Sequence, residues 1–194
     1  MPGSLFTTPL AAAPLRLLAN GFLKVTGWRV VHGTLPHPPF IVIGAPHTSN
    51  WDFLYLMCAI LHLRMDIKWM GKHTLFPAGL GWLMRWLGGI PVNRTRAHNM
   101  VGRMAELIMS NPDTILCIPP EGTRSKVAEW KTGFYRIAEQ AGVPVVMAAI
   151  DAPRKELRVL GEFRPTGDID ADMAHIRSCY KGIRGIRPDN QADA

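Results

Sequence analysis

Apolar residues recur along this chain in two rhythms. Unbroken apolar runs at 40–45 (FIVIGA), 114–118 and 145–150 predict strands buried on both faces, while mixed segments at 66–70, 89–93 and 157–163 predict further strands. Apolar positions three and four apart predict helices over about 50–63, 79–87, 98–109, 133–140 and 173–182. Strands alternating with helices predict a single α/β domain whose mostly parallel or mixed sheet is flanked by helices. Ahead of it, in LAAAPLRLLANGFLKVTGWRVV, Arg16, Asn20 and Lys24 recur every four residues, and Leu15, Leu18, Phe22 and Val25 follow another face. The chain thus divides into an N-terminal amphipathic helix and Pro-rich linker (1–39), the α/β domain (40–185) and a polar, flexible tail (186–194). Neither an internal repeat nor a low-complexity segment interrupts this order.

Composition narrows the partners. The 194 residues are 47% hydrophobic, enough for one well-buried core. An excess of 22 Lys and Arg over 15 Asp and Glu favours an anionic partner, such as phosphate groups or an acidic membrane surface. The basic residues are scattered and form no nucleic-acid motif, so no nucleic-acid partner is expected. Cys58, Cys117 and Cys179 are odd in number and widely spaced, which suits reduced thiols in a cytoplasmic compartment. No secretory signal is recognisable, and no apolar run reaches the roughly 18 residues of a membrane span. A helix with Leu and Phe opposite Arg and Lys can lie in a membrane interface, or pack on its own domain. The segment WMGKHTLFPAGLGWLMRWLGG, with its three tryptophans, also suits a headgroup layer. A peripheral location on the inner face of the cell membrane is therefore expected.

Three chemically loaded segments follow predicted strands, where open α/β sheets bind ligands. The first, APHTSNWDF, puts His47 five residues before Asp52. At 3.6 residues per turn that spacing does not place the two side chains on one helix face. His47 must hang from the loop before the helix that carries Asp52. A carboxylate there can fix the imidazole tautomer and leave the other ring nitrogen free as a base, the orienter-and-base half of a hydrolase triad. The competing reading is structural, because Ser49-x-x-Asp52 is also a capping box. In the second segment, PPEGTRS, Gly122 allows close backbone approach and Arg124 can grip a phosphate, with Thr123 and Ser125 as short donors. Glu121 can orient a hydroxyl or pair with an arginine, and a plain surface turn remains the alternative. The third segment, Asn93-Arg94-Thr95-Arg96, supplies either an anion contact or solvated charges. No phosphate-binding loop occurs, and no histidine spacing suggests a metal site.

Taken together, these segments resemble the glycerolipid acyltransferase family that includes the 1-acylglycerol-3-phosphate (lysophosphatidic acid) acyltransferases. His47-Thr48-Ser49-Asn50-Trp51-Asp52 is similar to its HxxxxD motif, Gly89-Ile90-Pro91-Val92-Asn93-Arg94 to its second block, and Pro120-Glu121-Gly122-Thr123-Arg124-Ser125 to its PEGTRS block. The proline-led strand 143–150 resembles the fourth block, with Met147 where a proline is common, and Trp130-Lys131-Thr132-Gly133-Phe134 resembles the K-x-G stretch. The resemblance implies a glycerol-3-phosphate acyltransferase-like fold and transfer of a fatty acyl group from acyl-CoA or acyl-carrier protein to a lysolipid hydroxyl, 1-acylglycerol-3-phosphate being the expected acceptor. It implies His47 as base, Asp52 as its orienter, and Arg94, Glu121, Gly122, Thr123 and Arg124 as acceptor-binding residues, with no metal or bound cofactor. Three rival functions remain at this point: an acyltransferase for another hydroxyl acceptor, a thioester hydrolase and a non-catalytic membrane-binding protein.

Overall fold

The computed structural model describes residues 4–92 and 99–192. In chain order its elements are α1 (Pro9–Thr26), β1 (Arg29–Val31), β2 (Phe40–Ala45), α2 (Trp51–Leu63), β3 (Ile67–Lys72), α3 (Gly81–Trp86) and β4 (Gly89–Val92). They continue with α4 (Met100–Met109), β5 (Ile115–Ile118), α5 (Gly133–Ala141), β6 (Val145–Asp151), β7 (Glu156–Phe163) and α6 (Ile169–Cys179). The strands form one seven-stranded sheet in the order β1-β7-β6-β2-β5-β3-β4. Pairing is parallel throughout except between β6 and β7.

The continuous apolar run of β2 follows from its place in the middle of this sheet, covered on both faces. Side chains alternate across a strand. Ile41 and Ile43 therefore join Leu116, Ala105, Ile108, Phe134 and Ile176 beneath α4, α5 and α6. Phe40 and Val42 face the other way and pack with Cys117, Val146, Met57 and Ile60 beneath α2. A third cluster, which includes Leu23, Trp28, Tyr55 and Leu61, fastens α1 to the outer side of α2.

α1 presents two apolar faces. Leu15 and Phe22 pack inward, whereas Leu10, Leu17, Leu18 and Val25 stand in solvent. Of the expected apolar row, then, only half meets the domain. Arg16, on the expected polar face, donates from Nε to the Leu61 carbonyl at the end of α2 (3.1 Å). The helix stops at Gly27, whose left-handed φ of 76° gives the turn into β1. β1 itself was not foreseen, and its three residues add a parallel edge to β7. Among the described residues no helix is long and apolar enough to cross a membrane.

Two further expectations are corrected. The last helix begins at Ile169, four residues before the expected start, because the Asp168 side chain accepts from the Ala171 N–H (3.1 Å) and Asp170 and Asp172 sit in the positive first turn. The tail does not fray as far as residue 192. Pro188–Asn190 is a turn of 3₁₀ helix, Asn190 donates to the Thr48 carbonyl (3.2 Å), and Ala192 is buried. Asn190 and Gln191 spend their amides on backbone groups, while Arg187 and Asp189 remain exposed.

Tyr180, just beyond α6, lies fully inside the core with its hydroxyl between two neighbouring strands, 3.2 Å from the Ile43 carbonyl and 3.1 Å from that of Ala148. It ties the C-terminal helix to the interior of β2 and β6. Tyr180→Phe should cost about 1 kcal/mol. Thermal unfolding is expected to fall by about 2–4 °C; an unchanged melting temperature would mean the hydroxyl contributes nothing.

Candidate active site

The loop leaving β2 turns at once into α2, and Asp52 lies in the first turn of that helix. Its carboxylate is buried (3% exposed) and gathers the loop around itself. Oδ2 accepts the Thr48 N–H at 2.7 Å and the Ser49 N–H at 2.8 Å. The same oxygen stands 3.2 Å from His47 Nδ1. The helix N-terminus adds a partial positive charge beside the carboxylate. The two readings of Asp52 therefore coincide. It makes the back-reaching arm of a capping box, to the Ser49 N–H, while Ser49 Oγ accepts from Trp51 N (3.2 Å). The imidazole occupies the third approach to the same oxygen. His47 lies outside the helix, as its spacing from Asp52 requires.

A second carboxyl group lies behind this loop. Because β5 pairs with β2, the PEGTRS turn emerges beside the HxxxxD loop. Glu121 Oε1 accepts the His47 N–H (3.0 Å), and Oε2 has no partner among the described residues. The side chain is 2% exposed, and the contact the structure shows for it is to the His47 backbone. Burial pushes its carboxyl pKa above the ordinary value of 4.5; the His47 N–H bond and the nearby imidazole oppose this without winning.

The residues after Glu121 face outward. Gly122 has φ +65°, and a Cβ there would press on Lys131 Nζ at 3.1 Å, so the K-x-G lysine lies across the turn. Thr123 is half-buried and Arg124 exposed. His47, Gly122, Thr123 and Arg124 all border one cavity of about 390 Å³ between α2 and the sheet. That volume is typical of small-ligand sites. The interior is apolar, with Phe53, Leu56 and Ile60 from α2 facing Val146, Ala148 and Val159 from the sheet. Small residues open it: Gly44 and Ala148 are paired in register, and a Cβ on Gly44 would meet nothing within 4 Å. The group brought together is thus a base candidate, a carboxylate, an exposed guanidinium and an apolar chamber. Arg94 lies outside the described residues. It follows β4, which is separated from β2 by β3 and β5.

The Trp-rich segment divides. Trp69 is a core residue that donates from Nε1 to the Leu87 carbonyl (2.8 Å), whereas Trp82, Leu80 and Leu75 are exposed. Leu75 also borders the cavity. Among the described residues no three His, Cys, Asp or Glu side chains are grouped as metal ligands would be.

A family model described as Acyltransferase matches residues 29–151, from β1 to the end of β6, and so includes both motif loops. Among solved structures, the crystal structure of the 1-acyl-sn-glycerophosphate (LPA) acyltransferase PlsC from Thermotoga maritima has a similar fold. It superposes with a TM-score of 0.60 at 20% identity, over 89% of this chain and 78% of that one. Comparison with curated protein sequences gives no match.

The raised pKa of Glu121 yields a sign-definite test. Below 4.5 the group is protonated in both folded and unfolded chains; above it the unfolded chain ionises first, so the folded state loses stability as pH rises toward the folded pKa. Glu121→Gln keeps an oxygen for the His47 N–H and has no such titration. The variant's melting temperature should gain on the wild type as pH rises from about 4 to 7. A difference that stays constant with pH would contradict the buried, uncompensated carboxyl.

Proposed function

The chain belongs to the acyltransferase family and is an acyltransferase enzyme, and on that premise we propose that it moves a fatty acyl group from an acyl thioester to the hydroxyl of a lysophospholipid. The donor is acyl-CoA or acyl-carrier protein, and 1-acylglycerol-3-phosphate, giving phosphatidic acid, is the leading acceptor. The observation that carries this reading is the 3.2 Å approach of Asp52 Oδ2 to His47 Nδ1 at the mouth of an apolar cavity rimmed by Arg124.

In this mechanism Asp52 holds the imidazole with its proton on Nδ1. Nε2 is then free to accept the proton of the acceptor hydroxyl as that oxygen attacks the thioester carbonyl carbon. The tetrahedral intermediate collapses by breaking its C–S bond, and the imidazolium returns the proton to the leaving thiolate. The acceptor supplies the nucleophile, so no acyl-enzyme forms, and the reaction calls on no metal or bound cofactor. The apolar chamber takes the acyl chain. Arg124, helped by Thr123 and the Gly122 backbone, and Arg94 from the second block, seat the acceptor phosphate by charge-assisted hydrogen bonds. Holding the hydroxyl between base and thioester lowers the barrier by several kcal/mol. Glu121 acts one step back, on the His47 backbone.

Water needs no anion-binding rim, and the exposed Arg124 beside His47 therefore favours a lysolipid acceptor over hydrolysis. A peripheral seat on the inner face of the membrane is supported by the exposed row Leu10, Leu17, Leu18 and Val25 on α1, with Leu80 and Trp82 on a second exposed segment.

Thiol release from acyl-CoA, measured against a panel of lysolipids and other hydroxyl acceptors, tests the reading. Release should depend on the acceptor. His47→Ala should lower kcat by about 100- to 10,000-fold with the cooperative melt retained. Arg124→Ala should raise the acceptor KM about tenfold or more and leave the thioester KM unchanged. Acceptor-independent release would favour a hydrolase, and retained turnover in His47→Ala would remove the base.

A further inference from the structure

Thr48, between His47 and the helix, is 1% exposed and uses all three of its polar groups. Its N–H goes to Asp52 Oδ2 (2.7 Å). The other two are met from far along the chain: Oγ1 accepts the Arg187 N–H (3.1 Å), and the carbonyl accepts from Asn190 Nδ2 (3.2 Å). Gly185 presses against the same side chain, where a Cβ would come within 2.7 Å of Thr48 Oγ1. The segment that supplies these contacts is itself clipped shut by Gln191. Its Oε1 accepts the Gly185 N–H (3.0 Å) and its Nε2 donates to the Ile183 carbonyl (2.8 Å).

We infer that residues 183–192 form a positioning strap for the His47–Asp52 pair, with Asn190 as its principal side chain; the inference rests on the acyl-transfer reading of that pair. Two planar peptide units flank the Thr48 Cα, and only its φ and ψ are free between them. Asp52 Oδ2 holds the N–H of both units, through Thr48 and Ser49, and Asn190 adds a hold on the carbonyl of the second. With the hydroxyl also bonded, both dihedrals are set, and so is the direction in which His47 leaves the loop. This bracing from the C-terminal side adds to that of Glu121, which holds the His47 N–H (3.0 Å), while the cavity borders His47. Asn190 and the Arg187 backbone thus act on the reaction through Thr48, without touching substrate.

The test measures kcat, both KM values, thermal unfolding and amide hydrogen exchange in the full chain. Asn190→Ala and Asn190→Asp both remove the donor to Thr48, and each should lower kcat about tenfold with both KM values unchanged, the signature of a misplaced base. Asp189→Ala, an exposed neighbour in the same turn, should keep wild-type kcat. Thr48→Val should reproduce the loss and Thr48→Ser should restore most of the rate, because only the hydroxyl meets the Arg187 N–H. Independently of any substrate, the Thr48 and Ser49 amides should exchange at least about tenfold faster in Asn190→Ala. Unchanged kcat together with unchanged exchange would overturn the strap. So would loss of the cooperative melt in both Asn190→Ala and Thr48→Val, which would assign the segment to folding. If the wild type proves inactive with every donor and acceptor while the exchange change is present, the strap stands and the acyl-transfer reading falls.

Discussion

A carboxylate that is 3% exposed needs hydrogen-bond partners, and the partners found by Asp52 determine the rest of the site. Two backbone N–H groups and an imidazole converge on one of its oxygens, at the positive end of α2. Satisfying the charge curls residues 47–49 over the helix start, and that curl aims His47 away from the helix toward the cavity. The other oxygen, Oδ1, has no partner among the described residues, which concentrates the demand on Oδ2. A requirement of helix capping and a geometry suited to proton transfer are met by one group.

Sheet order does the remaining assembly. β2 lies between β5 and β6, so the turn after β5 emerges beside the loop after β2, bringing Glu121 onto the His47 N–H and Arg124 to the same cavity as His47. The chamber beneath exists because Gly44 and Ala148, adjacent on one face, leave space that larger side chains would fill. Opposite that chamber the core is tightly tied, by Tyr180 on two strand carbonyls and by the 183–192 segment on Thr48. A rigid wall thus backs the loop on one side and an open, apolar space on the other.

Much of this was legible in the chain. Apolar runs located β2, β5 and β6 to within a residue, because strands covered on both faces admit almost no polar side chain. The five-residue offset of Asp52 from His47 required the histidine to precede the helix, and it does. What escaped notice depends on long-range contacts with no local signal. Arg29–Val31 is a strand only because β7 offers it an edge, and three residues carry no readable period. The polar tail looked mobile because hydrogen bonds to the hydroxyl and carbonyl of Thr48, 139 and 142 residues away, leave no pattern in sequence. Glu121 was given to the acceptor by the family resemblance; its pairing with the His47 N–H required the adjacency of β2 and β5. Trp69 looked interfacial by composition, yet its indole is in the core.

The central claim is that the nucleophile comes from the acceptor, with His47 taking its proton and no group of the protein becoming acylated. Rapid-quench kinetics with acyl-CoA in the absence of any acceptor address this directly. The account predicts no burst of thiol release and no acyl group on the protein, with fast release beginning only when lysolipid is added. A burst equal to the enzyme concentration, with the acyl group on the chain, would contradict it.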